Sequence, residues 1–134
     1  MSVPGVRLTA KDAFRLSTET AQSDRTAFFK IRDAIYAQIR MLATHRPPCY
    51  KTSYDVPPTF PSIPEYNVKN VFVLLYTRLY EDGYKMTWNS KDPLTLHIDW
   101  SDNGNVPRTP SNSELQAIKR HSYSSYSELR NPRR

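Results

Sequence analysis

Glycine is scarce in this sequence, and its scarcity excludes a large class of enzymes. Only three of the 134 residues are glycine, which is too few for the loops whose backbone N–H groups cradle phosphates. Neither a G-x-G-x-x-G string, nor a P-loop, nor a G-x-S-x-G string occurs in the chain. The sequence therefore argues against a nucleotide-using enzyme. We expect no enzymatic activity, no cofactor and no small-molecule substrate.

Cysteine and long hydrophobic runs are also lacking. Cys49 is the only cysteine, so the chain cannot form an internal disulfide, and this fits a reducing compartment. The longest apolar run covers residues 71–76, whereas a membrane-spanning helix needs about 20 apolar residues. The first residues lack the apolar stretch of a secretory signal. We expect a soluble intracellular protein without a membrane span.

The positive charge is concentrated towards the two ends of the chain. Residues 1–46 contain eight Lys or Arg against four Asp or Glu, residues 47–100 five against six, and residues 101–134 six against three. The net charge is +6. Basic ends favour an anionic partner such as nucleic acid, a membrane face or an acidic protein surface. A purely solubilising role explains so modest a charge equally well.

A long helix is predicted from Asp24 up to Pro47, with Ser23 or Asp24 as its N-cap. Its apolar residues recur at steps of three and four and form one stripe: Phe28, Ile31, Ile35, Ile39 and Leu42. Before it, Thr9 and Asp12 resemble a capping pair for a short helix near 10–17. The polar residues 17–23 are predicted to be a linker.

The centre of the chain predicts a strand, a second helix and a hairpin. Residues 50–56 alternate like a strand, and the proline-rich segment 57–64 reads as a stiff loop pinned by Phe60 and Ile63. The second helix is expected over 67–82, with Asn67 as its N-cap and Gly83 as the left-handed residue after its end. Two further strands, 84–89 and 94–100, suit a hairpin.

These elements predict an α+β fold. It has a long N-terminal helix, then a strand, a helix and a β-hairpin, giving a small three-stranded sheet packed by two helices, with extended terminal arms. We expect an N-terminal arm over 1–23, a compact α+β domain over 24–100 and a basic, Pro/Ser/Tyr-rich C-terminal arm over 101–134. Residues 113–121 could form a short helix, but the C-terminal arm should be mostly disordered alone in water.

The landmarks within residues 28–100 resemble those of small proteins encoded by nucleocytoplasmic large DNA viruses. The shared pattern is a helix, Tyr54-Asp55-Val56-Pro57, a proline-rich loop, Pro64-Glu65-Tyr66, a helix, Gly83-Tyr84, and Leu96-His97-Ile98-Asp99-Trp100. Several such proteins are virion components, including minor capsid proteins. The resemblance implies a structural role in the virion, with assembly in the host cytoplasm. It implies no catalytic residues.

Residue types that could support metal or thiol chemistry are few. His45 and Cys49 are four residues apart, but the other two histidines, His97 and His121, have no matching partners, and a closed zinc site needs four ligands. No sequence around Cys49 resembles a thiol nucleophile with its base. We therefore assign no metal site and no catalytic residue, and we interpret His45 as a helix-end residue near a carbonyl.

Polar and aromatic residues of the predicted strands have two interpretations, a functional one and a structural one. Asp55, Asp99 and Glu65 could face one another as an acid pair, but their alternating or loop context favours a solvated face. His97 should point away from the core. Four aromatic residues could offer a stacking platform for bases, although core packing is the commoner role: Tyr54, Tyr84, Trp88 and Trp100.

The C-terminal arm carries the residues that we predict to bind a partner. Its arginines and lysine can contact phosphates or carboxylates, while its tyrosines and aliphatic residues can anchor it on a neighbouring subunit. These tail anchors are Arg108, Leu115, Ile118, Lys119, Arg120, Tyr123, Tyr126 and Arg130. The partners would be other capsid or virion proteins, and nucleic acid through the basic tails.

Three functional hypotheses follow. The first is a minor capsid or virion component that links neighbouring subunits through its terminal arms. The second is a nucleic-acid-binding accessory protein that uses the basic termini. The third is a host-directed module that presents the Pro-x-x-Pro string at 58–61, for which a rigid loop packed on its own domain is the favoured alternative.

Overall fold

The structure, a computed structural model, describes residues 7–105, 107 and 109–120. In chain order its elements are α1 (Ala10–Ala43), β1 (Lys51–Asp55), α2 (Val68–Glu81), β2 (Lys85–Thr87) and β3 (Thr95–Asp99). A third helix, α3, covers residues 112–120. The predicted α+β class is confirmed, with its long N-terminal helix and its three-stranded sheet.

One unbroken helix, α1, replaces the predicted short helix, linker and long helix. Thr9 caps it as expected, because its side chain accepts a hydrogen bond from the N–H of Asp12 at 3.2 Å. The linker over 17–23 and the N-cap at Ser23 or Asp24 are wrong. No proline or glycine interrupts residues 10–43, and polar side chains are compatible with the helix, as where the Thr18 hydroxyl donates to the Phe14 carbonyl at 2.9 Å.

The core lies between α1, α2 and the inner face of the sheet. The predicted stripe of α1 is buried from Phe28 to Ile39, while Leu42 at its end stays partly exposed. Helix α2 packs on two sides as expected, although Leu74 keeps 42% of its surface exposed. The fully buried large side chains are Ile31, Ile35, Val68, Val71, Phe72, Leu75, Tyr76, Leu79, Leu96, Ile98 and Ile118.

The ends of α2 follow the sequence signals. Asn67 is its N-cap and accepts from the N–H of Asn70 at 3.1 Å. Gly83, one residue beyond the C-cap, has a φ of 99°. That left-handed backbone lets the N–H of Tyr84 reach the carbonyl of Leu79 at 3.1 Å. Strand β2 can therefore start immediately after the helix.

The sheet has the order β1-β3-β2, and both of its pairings are antiparallel. The predicted hairpin is thus confirmed as β2 with β3. Side chains alternate across the central strand, so Leu96 and Ile98 enter the core while Thr95, His97 and Asp99 line the outer face. On that face Ser53 of β1 lies opposite His97.

The proline-rich loop is fastened to its own domain. Ile63 is buried and Phe60 packs partly against the core. The hydroxyl of Tyr66, a buried residue, donates to the Pro57 carbonyl at 2.7 Å. These contacts agree with the predicted rigid loop.

Helix α3 packs on the core instead of extending away from it. It coincides with the short helix expected over 113–121, and its Ile118 has no exposed surface while Leu115 is partly buried. The carboxylate of Glu114 accepts a hydrogen bond from the hydroxyl of the buried Tyr76. The expectation of disorder is therefore wrong for this helix, because it has an apolar face that the core can bury.

Candidate functional site

The first thirteen residues of α1 project from the domain, and we call residues 10–22 the projecting segment. None of these residues is buried, and burial begins only at Ser23 and Asp24. Phe14 and Leu16 keep 74% and 47% of their surface exposed, and the preceding Leu8 keeps 67%. At 1.5 Å per residue the projecting segment is about 20 Å long.

The projecting segment starts where α2 stops covering α1. Asp24 marks this boundary, because its carboxylate accepts from the N–H of Asn67 at 2.8 Å and from the side-chain amide of Asn70 at 2.9 Å. These contacts place the N-terminus of α2 beside Asp24. Sequence reasoning assigned Asp24 to the cap of its own helix, whereas the structure shows that it binds the start of the other one.

An open groove of about 700 Å³ joins the base of the projecting segment to α2. Its apolar wall contains Leu16, Phe29 and Leu74, each more than two-fifths exposed. The guanidinium of Arg32 lies 4.9 Å from the centroid of the Phe29 ring, in a cation–π contact beside this wall. The remaining lining residues are Ser17, Thr20, Ala21, Asp24, Arg25, Phe28 and Asn70. The groove is thus lined by exposed apolar side chains mixed with polar and charged ones, and exposed apolar side chains rimmed by polar residues are typical of interaction sites.

The carboxylates of the outer sheet face do not form an acid pair. Asp55 lies opposite Thr95 and accepts from its hydroxyl at 2.6 Å, at the other end of the strand from Asp99. Asp99 accepts from the side chain and the N–H of Ser101, and these hydrogen bonds hold its pKa below the usual value. The predicted solvated face is confirmed for both residues.

A chain of hydrogen bonds crosses the same face from Ser53 through His97 to Asp92. The Ser53 Oγ is 3.1 Å from His97 Nδ1, and His97 Nε2 is 3.0 Å from Asp92 Oδ2. A carboxylate can only accept, so Nε2 donates a proton to Asp92, and in the neutral imidazole Nδ1 then accepts from the Ser53 hydroxyl. Asp92 Oδ1 is buried without a hydrogen-bond partner among the residues that the structure describes.

The hydrogen-bonded trio lies between two open grooves. One, of about 450 Å³, is lined by residues of all three strands, among them Ser53, His97, Thr87 and the two lysines Lys51 and Lys85. The other, of about 520 Å³, reaches from His97 towards residues 88–90. Sequence reasoning missed the trio because Ser53 and His97 are 44 residues apart and only the strand register brings them together.

The structure places the other candidate residues in less reactive settings. The His45 Nδ1 lies 3.3 Å from the Pro47 carbonyl, as the helix-end interpretation expected. Cys49 is a free, partly buried thiol. Within the described parts of the chain, no three His, Cys, Asp or Glu side chains are grouped to hold a metal ion, and no helix has the length and apolar character to cross a membrane.

The aromatic residues of the strands pack on the core. The rings of Tyr84 and Trp100 meet edge to face with centroids 6.2 Å apart. The Trp88 indole N–H donates to the Pro93 carbonyl at 3.1 Å. All three side chains, and that of Tyr54, are partly buried against the core, which agrees with the packing interpretation and leaves no stacked platform on these residues.

Half of the predicted tail anchors can be located. Ile118 is buried in the chain's own core and Leu115 packs partly against it, whereas Lys119 and Arg120 are exposed. Ile118 thus holds α3 to its own domain and offers no surface to a partner in this arrangement. Four anchors lie outside the described residues and stay predictions: Arg108, Tyr123, Tyr126 and Arg130.

No protein-family model matches the chain, and neither a curated protein nor a solved structure shows significant similarity to it.

Proposed function

We propose that the protein is a non-enzymatic structural protein, a minor capsid or virion component that links neighbouring subunits through its terminal segments. The observation that carries this proposal is the projecting segment, a helix already formed but left unburied. Its Phe14 and Leu16 keep 74% and 47% of their surface exposed. Since full burial of an exposed apolar side chain contributes about 1.5–3 kcal/mol, a partner that covers these two would gain about 1–2 kcal/mol at Phe14 and about 1 kcal/mol at Leu16. The partners would be other virion proteins.

The preformed helix favours binding for a second reason. A segment that is already ordered loses less conformational entropy on association than a disordered arm. The groove beside Leu74 and Phe29 continues the apolar surface onto the domain itself, so that a neighbour could contact both. The resemblance of residues 28–100 to small proteins of large DNA viruses supports the virion as the place where this neighbour is found.

The first test is composition of the particle. Virions purified from infected cells should contain the chain in near-stoichiometric amounts, fixed to the shell and not released by mild detergent. Absence of the chain from purified particles would reject the proposal.

A second test addresses the surface. Phe14→Glu and Leu16→Glu should keep the fold, because neither side chain is buried, yet both should reduce incorporation into particles. Gln22→Glu introduces the same charge at another exposed position of the projecting segment and should incorporate normally. Normal incorporation of all three variants would show that the projecting segment is not the contact.

A second candidate function, nucleic-acid binding, is favoured by exposed cations near both described ends of the chain. Arg7, Lys11 and Arg15 are exposed around the projecting segment, and Lys119 and Arg120 at the end of α3. Each phosphate contact contributes about −0.9 to the slope of log affinity against log salt on duplex DNA. These cations could therefore bind a phosphate backbone.

Point substitutions test this candidate better than deletion of residues 101–134, because that deletion would also remove the buried Ile118. Lys119→Gln with Arg120→Gln should flatten the salt slope by up to about 1.8 if both residues contact phosphates. An unchanged slope in an electrophoretic shift assay would exclude them from the interface.

A further inference from the structure

We propose that Ser53 is a covalent modification site, a hydroxyl activated by His97 that accepts one acyl group from a thioester or an aryl ester. The order of contacts, a serine hydroxyl on one imidazole nitrogen and a carboxylate on the other, is the one by which serine hydrolases activate their nucleophile, here with the two ring nitrogens exchanged. The proposal is independent of the structural role argued above.

The proton inventory of the trio fits a general base. Asp92 fixes the imidazole tautomer by accepting from Nε2, which leaves the lone pair of Nδ1 directed at the Ser53 hydroxyl. The carboxylate also stabilises the imidazolium that forms when the hydroxyl proton is transferred. In this scheme Ser53 is the nucleophile, His97 is the base and Asp92 is a positioning residue.

The acyl transfer is balanced without any other reagent. The Ser53 Oγ forms a bond to the carbonyl carbon of the donor while its proton passes to His97 Nδ1. The tetrahedral intermediate then collapses, the bond to the thiolate or phenolate breaks, and the leaving group takes the proton from His97. The products are a serine ester and a free thiol or phenol.

The surroundings determine which donors fit. Ser53 is exposed on a strand and borders the 450 Å³ groove, so that a small acyl group can reach it without opening the fold. Lys51 and Lys85 line the groove with Asp99 between them, and the Lys85 Nζ also lies 3.9 Å from the Asp102 carboxylate. These two cations and two anions balance, so the groove is polar but offers no net charge to the oxyanion of the intermediate. A short acyl group on a thiol or phenol therefore suits the groove.

The acyl group should accumulate on Ser53. The product is an alkyl oxygen ester, which is less reactive than the thioester or aryl ester that formed it, so its hydrolysis by water, also assisted by His97, is slower than the transfer. General-base assistance contributes about 10²–10⁴-fold to rates of this kind. Ser53 should therefore react at least about 100-fold faster than an exposed serine without such a base, such as Ser62 in the proline-rich loop.

The test uses the full chain with p-nitrophenyl acetate, intact mass to count acetyl groups and peptide mapping to locate them. We expect stoichiometric acetylation of Ser53, at least about 100-fold faster than Ser62. His97→Gln should abolish this preference, and circular dichroism should show that the fold persists. Equal rates at Ser53 and Ser62, or an unchanged rate in His97→Gln, would overturn the proposal.

Two variants at Asp92 separate positioning from a structural role. Asp92→Asn removes the acceptor charge from His97 Nε2 and should slow acetylation of Ser53 by about tenfold or more, whereas Asp92→Glu should restore most of the rate. Variants that differ in thermal stability but acetylate Ser53 equally would show that Asp92 does not act through His97. Incorporation into particles is measured separately, so failure of this test leaves the structural proposal unaffected.

Discussion

Replacing Asp24 by alanine should destabilise the protein strongly, because its carboxylate binds α1 to the N-terminal end of α2. Asp24 is 7% exposed and accepts from the N–H of Asn67 and the amide of Asn70. A hydrogen bond to a charged group contributes about 1.5–3 kcal/mol. Asn67 is partly exposed and Asn70 is exposed, so water can hydrogen-bond to them in the variant and recover part of this free energy. We therefore expect Asp24→Ala to lower the free energy of unfolding by about 2–4 kcal/mol.

Urea denaturation followed by circular dichroism measures this loss. With a slope near 2 kcal/mol per molar urea, the midpoint should fall by about 1–2 M while the slope stays constant. Asp33→Ala is the matched control, because the Asp33 side chain on the same helix is 69% exposed and pairs with Arg32; its effect should stay within about 0.5 kcal/mol. An Asp24→Ala midpoint no lower than that of Asp33→Ala would refute the role assigned to this contact.

Three further substitutions test other parts of the structure. Ile118→Ala should lower the free energy of unfolding by about 2–4 kcal/mol and Lys119→Ala by less than about 0.5; equal effects in urea denaturation would mean that α3 is not docked. Gly83→Ala should cost about 1–2 kcal/mol, because alanine is strained at a φ of 99°, and a neutral effect would contradict that backbone. Burial, followed by the hydrogen bond to Asp82, raises the pKa of Tyr36 to about 12. Since this lies above the unfolded value near 10, the stability that Tyr36 contributes should be complete below pH 10 and lost as the pH rises towards 12. Asp82→Asn should lower the pKa of Tyr36. An ultraviolet titration measures this pKa, with Tyr36→Phe identifying which part of the signal comes from Tyr36, and an unchanged titration in Asp82→Asn would contradict the contact.

Much of the fold could be predicted because its signals are local. The stripe from Phe28 to Ile39, the cap at Asn67 and the left-handed Gly83 each depend on neighbours within one helical turn. The polar residues 17–23 misled the prediction because serine and threonine favour caps and loops in isolation. In the folded chain the helix continues through residues 17–23 because the following half of α1 is packed in the core.

The candidate sites could not be predicted because they depend on distant pairs. The contact between Asp24 and Asn67 joins residues 43 apart, and that between Ser53 and His97 joins residues 44 apart. Periodicity identifies the outward-facing residues of a strand but not which of them become neighbours. The register of β1 against β3 decides which of these residues become neighbours. That register also depends on the turn between β2 and β3.

Because α1 is one continuous helix, the projecting segment is held rigidly by the buried half of the same helix. A free peptide of thirteen residues would be a marginal helix in water, so this end owes its shape to the half that is clamped in the core. Along the whole 34-residue rod, each added residue advances the tip by about 1.5 Å and turns it by about 100°. Insertion of two residues between the buried half of α1 and Phe14 would turn Phe14 away from its former direction. Insertion of seven would nearly restore that direction and place Phe14 about 10 Å further out. A partner that binds the tip is therefore held at a distance and an angle that the domain fixes.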